Sequence, residues 1–284
     1  MTAAFDERLV TLTLQLDAGV VEYHGLAIYA TGRKYDTSIP ASCEVRIFNL
    51  TAEARNNILT QASPLKIQEN NPVNMVLSVG RKSYGTFILY QGNVISSDVT
   101  QPPDIGITLC AMTQQGAMGL IVKNNQSSIA TLRVIAQSIA DGIGVPLDFQ
   151  ATNDKQIDNY SFSGPALRQV EKLNHMGGIK AYIDNDVLVV QDADKPRQGD
   201  VVPINANTGM VGVPQVTQFG VVVRVMINPQ IKLGGRVRID SLINPAANGF
   251  YNVIQINFEV ASRDVPFYYT LSCLSPDRYL GGTL

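Results

Sequence analysis

The chain has 284 residues, a formal net charge of −2, 45% hydrophobic and 16% charged residues. This composition supports a sizeable core and excludes a chain disordered by composition. It also excludes the electrostatic footprint of a nucleic-acid binder, since Lys and Arg never gather into a basic run. No apolar run reaches the roughly 18 residues of a membrane span, and MTAAFDERLVTLTLQL lacks the basic and apolar regions of a secretory signal.

Residues 1–115 read as β. RLVTLTLQL alternates with a period of two, as a half-buried strand does. GLAIYATGRKYD predicts a strand entering a turn at Gly32. ASCEVRIFNL predicts a strand with Cys43, Val45 and Ile47 on one face. In TAEARNNILTQA, Thr51 is the expected N-cap of a short helix through Ala54, Ile58, Leu59 and Ala62, which Pro64 should stop. PVNMVLSVG, GTFILYQGNVISSDVT and IGITLCAM complete roughly seven strands, the pattern of a sandwich or barrel with one helix packed on it.

Residues 116–200 change character. In SSIATLRVIAQSIADGIG, apolar residues at 129, 132, 135, 136 and 139 predict a helix capped by Ser127 or Ser128 and ended at Gly142. SGPALRQVEKLNHMGG predicts a second, with Ser163 as cap, Pro165 in the first turn and Leu167, Val170 and Leu173 buried. KAYIDNDVLVVQD reads as a hairpin turning at Asp184-Asn185-Asp186. Residues 201–284 return to β: VTQFGVVVRVMI as a strand pair or one long strand, then GRVRIDSL, GFYNVIQINFEV and PFYYTLSCL. Asn244-Pro245 and Asn248-Gly249 supply turn chemistry. Linkers are expected near 114–126 and 191–215.

A catalytic constellation is hard to assemble. His24 and His175 are the two histidines, and neither has a His or Cys at ligand spacing. Cys43, Cys110 and Cys273 lie far apart inside strand-like runs, as buried reduced thiols do, which suits a reducing compartment. No GxSxG elbow exists, and Ser161-Phe162-Ser163-Gly164 reads as a helix start. Asp184, Asp186, Asp192 and Asp194 are close in sequence, but turn chemistry accounts for Asp184 and Asp186. Gly80 and Gly234-Gly235 lack phosphate-loop spacing. The aromatics Phe250, Tyr251, Phe258, Phe267, Tyr268 and Tyr269 have only Arg263 among them, which favours a core or an interface over base stacking. No catalytic, cofactor or metal site is expected.

One resemblance runs through most of the chain. The C-terminal third carries Gly212 and Pro214, Gly220-Val221, Asn228-Pro229, Leu233-Gly234 and Asn248-Gly249-Phe250-Tyr251, followed by an aromatic strand ending in Cys273. This order resembles the last domain of baseplate hub proteins of contractile-tailed phages. TLRVIAQSIADGIGVPL and YSFSGPALRQVEKLNHMGGIKAYIDNDVLVV are similar to the family's middle module, and CEVRIFNLTAEARNNIL with PPDI-x-ITL matches more loosely. The resemblance implies a mainly β fold with two tail-tube-like barrels, 1–115 and 201–284, and an inserted α+β module, 116–200. It implies a homotrimeric, pseudo-sixfold ring joining a hexameric tail tube protein to a trimeric central spike protein among other baseplate proteins. Genomic DNA would pass through the lumen without specific binding. The place would be the virion tail baseplate, assembled in the host cytoplasm. The chain carries no fused lysozyme-like region, so cell-wall cleavage would fall to another tail protein. The alternatives are another barrel adaptor, distal-tail or tube-cap, and a peptidoglycan-degrading enzyme using Asp184 or Asp186.

Overall fold

The computed structural model describes residues 6–67, 72–114, 117, 120–125 and 129–276. The chain is mainly β, as expected, and most pairings are antiparallel. It divides into two compact units, one of residues 1–33, 41–116 and 258–268, the other of 34–40, 117–257 and 269–284.

The first unit contains β1 (Arg8–Leu16), β2 (Gly19–Tyr23), most of β3 (Ile28–Tyr35), β4 (Ser42–Phe48), α1 (Ala52–Gln61), α2 (Pro64–Ile67), β5 (Asn74–Arg81), β6 (Gly85–Val99) and β7 (Gly106–Met112). The strands run in the order β3-β4-β7-β6-β5-β1-β2. Period-two patterning sets which face is buried: Val10, Leu12, Leu14 and Leu16 of β1 point to the core, as do Cys43, Val45 and Ile47 of β4. Thr51 caps α1 as predicted, its Oγ1 accepting from the Ala54 N–H at 3.2 Å, and Ile58 and Ala62 are buried beneath it. Pro64 does not simply stop α1. It opens α2, where its missing N–H is no loss.

The turn expected at Gly32 is absent, because β3 runs straight through it. The glycine is there for close approach: a Cβ would collide with Phe258 Cζ and lie 2.6 Å from the Ser42 carbonyl oxygen. Phe258 in turn packs against Tyr90, with ring centroids 6.4 Å apart, and both are fully buried. The Arg8 and Arg81 guanidinium groups each lie over the Phe267 ring, 5.1 and 5.2 Å from its centroid.

The second unit contains β8 (Ile121–Asn125), β9 (Ile129–Thr131), α3 (Leu132–Ile143), β10 (Leu147–Phe149), β11 (Gln156–Asp158), β12 (Ser161–Pro165), α4 (Ala166–Asn174), β13 (Ile179–Asp184), β14 (Val187–Asp192), β15 (Val202–Ile204), β16 (Met210–Val216), β17 (Gly220–Met226) and β18 (Arg236–Ile239). β19 (Gly249–Ala261) and β20 (Phe267–Leu274) have residues in both units. α3 and α4 close over β13 and β14 through Leu132, Ile135, Ile139, Val170, Leu173 and Leu188.

Both helix starts differ from expectation. Thr131 caps α3, its Oγ1 accepting from Val134, and Gly144 ends it at φ 81°. Residues 127 and 128 lie outside the described residues, and residues 129–131 pair as β9 with β11. Ser163 belongs to β12, paired with β8, so Pro165 occupies the cap position of α4 without a side-chain cap bond. In both cases pairing with a strand distant in the chain outcompetes one extra helical turn.

The hairpin β13–β14 turns at Asn185 and Asp186, with φ 49° and 58°, the left-handed pair that a two-residue primed turn requires. VTQFGVVVRVMI holds one strand, β17, after a turn at 217–219, and β17 pairs back onto β16, which ends at Val216. The expected linkers are partly structured: β8 lies within 114–126, and β15 within 191–215 pairs in parallel with β18.

Candidate functional site

The carboxylates singled out in the sequence form no facing pair. Asp184 sits at the turn end of β13 opposite Val187, whereas Asp192 pairs with Ile179 at the far end of the hairpin. Asp184 is consumed by ion pairs. Lys34 Nζ lies 2.9 Å from its Oδ1, and Arg197 Nη1 lies 3.2 Å from its Oδ2. Arg197 also reaches Asp148 at 2.9 Å, and Lys34 donates to Asn185 Oδ1 at 2.6 Å. Burial alone would raise the Asp184 carboxyl, but Lys34 and Arg197 outweigh it and hold the group below its ordinary value. Asp192 is likewise lowered: burial opposes, but bonds from Thr152 and Lys195 prevail. Asp186 serves the turn, and Asp194 is exposed.

His24 is exposed beside Gly25, and His175 is an exposed C-cap of α4. Ser161 donates to Asn125 Oδ1 at 2.7 Å. Cys43 and Cys273 are buried and Cys110 is half-buried, all as free thiols. Burial pushes the Cys273 thiol up to about 12. Gly80 and Gly234 are close-packing positions: a Cβ would collide with the Gly85 carbonyl oxygen in the first and meet the Tyr182 hydroxyl at 2.5 Å in the second. Tyr251, Phe258, Phe267 and Tyr269 are buried, so the C-terminal aromatics are core, with Phe250 half exposed. Among the described residues, no three His, Cys, Asp or Glu side chains converge as a metal-ligand set would.

What the surface offers instead are edges and apolar patches. Among the described residues, β2 and β16 each have one neighbouring strand. An edge exposes unpaired N–H and C=O groups ready to accept another strand. Both carry exposed apolar side chains, Val20 on β2 and Val211, Val213 and Val216 on β16. β16 also contains Pro214 and a register shift between Val211 and Gln215, which restrict the strands that could add to it. In the same unit, Leu242 and Ile243 stand almost fully exposed before the one-turn 3-10 helix Pro245–Ala247. In the first unit a groove of about 700 Å³ opens beside Tyr29, Phe48, Pro103 and Ile105.

A protein-family model described as baseplate hub gp41 matches residues 9–273. The chain belongs to the baseplate hub gp41 family. A comparison with curated proteins finds no match for this hub chain. Among solved structures, the 43 kDa tail protein of prophage MuSo2 from Shewanella oneidensis is similar, with 12% identity and a TM-score of 0.64 over 96% of this chain and 98% of that one. A tail protein from Neisseria meningitidis MC58 is similar at 10% identity and a TM-score of 0.62 over 94% and 96%. An E. coli component of the type VI secretion system, described as similar to T4 tail proteins gp27 and gp5, gives 11% and 0.56 over 88% and 73%. At these identities the likeness is one of fold. The hub family is a family of tail structural proteins, so a structural place in the tail follows for this chain.

Proposed function

We propose that this hub chain is a non-catalytic ring subunit of a contractile phage tail baseplate. Three copies form a pseudo-sixfold ring that joins the hexameric tail tube to the trimeric spike and leaves a channel for DNA. In this reading residues 1–115 and 201–284 are the two tube-like barrels of each copy, and 116–200 is the inserted module that faces other baseplate proteins. The ring assembles in the host cytoplasm and ends in the virion. The family match over residues 9–273 carries the reading. Two features support it: edge strands β2 and β16 with exposed apolar side chains, and candidate carboxylates engaged in structural ion pairs. A net charge of −2 suits a lumen that must not hold phosphate.

The test is electron microscopy and light scattering of the protein with its tube and spike partners. A three-copy ring lying between tube and spike supports the reading. A monomer in that mixture sinks it, and a six-copy ring reassigns the chain to a distal-tail or tube-cap adaptor.

A further inference from the structure

Three backbone segments of the second unit enclose a pocket of about 330 Å³. Asn228 opens the first: its carbonyl accepts from the Ile231 N–H at 3.2 Å and its Oδ1 from the Gln230 N–H at 2.9 Å. Lys232 opens the second, a turn closed by the Gly235 N–H donating to the Lys232 carbonyl at 3.0 Å, with Gly234 at φ 75°. The third is the stretch 197–202. The Arg197 N–H donates to the Gly234 carbonyl at 2.7 Å, and Val202 pairs with Val237. Val202, Ile231 and Val237 line the pocket and are buried, so its walls are partly apolar. A cleft braced on all three sides loses little ordering entropy when it is filled.

The charged groups of the lining do not balance. Arg197 is already paired with Asp148 and Asp184. Lys232, at the start of the second turn, and Arg236, just after it, have no carboxylate partner among the described residues. Arg236 Nε donates at 3.2 Å to the Oδ1 of Asn252, a fully buried side chain directly across β18–β19. That bond fixes one edge of the guanidinium and leaves its terminal amino groups with no acceptor among the described residues. Asp200, the acidic side chain of the lining, has no cation partner there either. Lys232 and Arg236 against Asp200 leave an excess of one positive charge. A guanidinium held through Nε and open at its other nitrogens is a receptor for a planar carboxylate. One excess charge matches a carboxylate, whereas a phosphate of about −1.5 to −2 would set its surplus against Asp200. The apolar walls suit the methylene stem of an acidic side chain, and the volume lies at the small end of the roughly 300–1,000 Å³ of ligand clefts.

We propose that this pocket takes the carboxylate of a glutamate or aspartate side chain from a partner protein, held by Lys232 and by the Arg236 guanidinium that Asn252 fixes. An ion pair open to solvent is weak by itself, so the carboxylate must arrive on a larger surface. The proposal goes beyond the ring reading and does not depend on it, because the pocket lies inside one unit of one chain.

The experiment follows the arginine and lysine side-chain resonances of the full chain by NMR. Four probes are titrated in: an end-blocked Ala-Glu-Ala peptide, its Ala-Gln-Ala counterpart, acetate and inorganic phosphate. The glutamate peptide should give a saturable shift of the Arg236 Nε–H signal, bind more tightly than acetate or phosphate, and lose its effect in the glutamine form. Arg236→Gln should weaken it by about tenfold. Lys232→Gln, at an exposed position, should do the same without touching the core, and Asp200→Asn should tighten it. A glutamate peptide that produces no saturable shift overturns the proposal, as does binding that Lys232→Gln and Arg236→Gln leave unchanged. Phosphate binding more tightly than the peptide overturns the carboxylate assignment. Acetate binding as tightly as the peptide overturns the protein side chain as occupant in favour of a small free anion.

Discussion

Lys34 Nζ lies 2.9 Å from Asp184 Oδ1, and the two residues are 150 positions apart in the chain. Both side chains are largely buried, and Arg197 closes the cluster from the other carboxylate oxygen. Removing one member of such a group leaves the others charged in a poorly solvated place. Asp184→Asn should therefore destabilise the protein by ~3 kcal/mol, read as a lowered denaturant midpoint with an unchanged slope. A Lys34→Met/Asp184→Leu/Arg197→Met chain should recover most of that loss. Equal instability in the two would show that the cluster is not an electrostatic unit.

Asp184 and, at the other end of the hairpin, Asp192 predict the response to acid. The Asp184 and Asp192 carboxyls are held below their ordinary value of 3.8 in the folded chain. A carboxyl that is more acidic when folded contributes stability that is fully present above its unfolded value. That contribution is lost as pH falls through the folded value. Stability should thus vary little from these two groups above about pH 5 and fall below pH 3.8. Asp184→Asn and Asp192→Asn should each flatten the acid limb in urea titrations repeated across pH. An unchanged limb in both would refute the assignment.

Gly32 and Phe258 make a second sharp case. A methyl group on Gly32 would stand under 3 Å from both Phe258 Cζ and the Ser42 carbonyl oxygen. Gly32→Ala should therefore be destabilising by about 1–3 kcal/mol through overpacking. The double variant Gly32→Ala/Phe258→Leu should recover only part of the loss, because the backbone oxygen stays in place. Thermal denaturation of the single and double variants measures the coupling.

Thiol reactivity should follow burial. Cys273, with its thiol pushed up to about 12, offers almost no thiolate at pH 8. Cys43 is shielded as well, whereas Cys110 is half-buried in β7. Native-state alkylation followed by mass spectrometry should label Cys110 first, with Cys43 and Cys273 reacting only on unfolding. Early labelling of Cys273 would contradict the packing of β20.

Asn248 braces the loop that carries Leu242 and Ile243. Asn248→Ala leaves the Ser241 N–H, in a buried residue, without its side-chain acceptor, which should lower stability by about 1–3 kcal/mol, as urea titration would report.

Much of the fold was legible locally. The alternation in RLVTLTLQL marked β1, Thr51 marked the start of α1, and Asp184-Asn185-Asp186 marked the β13–β14 turn. These features are written in neighbouring residues: a period of two, a capping hydroxyl, a pair able to adopt positive φ. Errors fell where a distant partner decided. Gly32 resembled a turn but accommodates Phe258, and Ser163 resembled a cap but pairs across to Lys123.

The candidate site divides the same way. That Asp184 and Asp186 need not be catalytic was readable from their turn setting, yet nothing nearby pointed to Lys34 or Arg197 as the partners of Asp184. Sequence alone determined a mainly β chain with two helices in its middle and hub-family turn signatures, because hydrophobic periodicity and turn chemistry act over a few residues. Only the tertiary structure decided which strands remain edges, which charges are buried together, and that Leu242 and Ile243 stand in solvent. Those outcomes depend on contacts between residues far apart in the chain, and burial is a property of the folded arrangement rather than of any one segment.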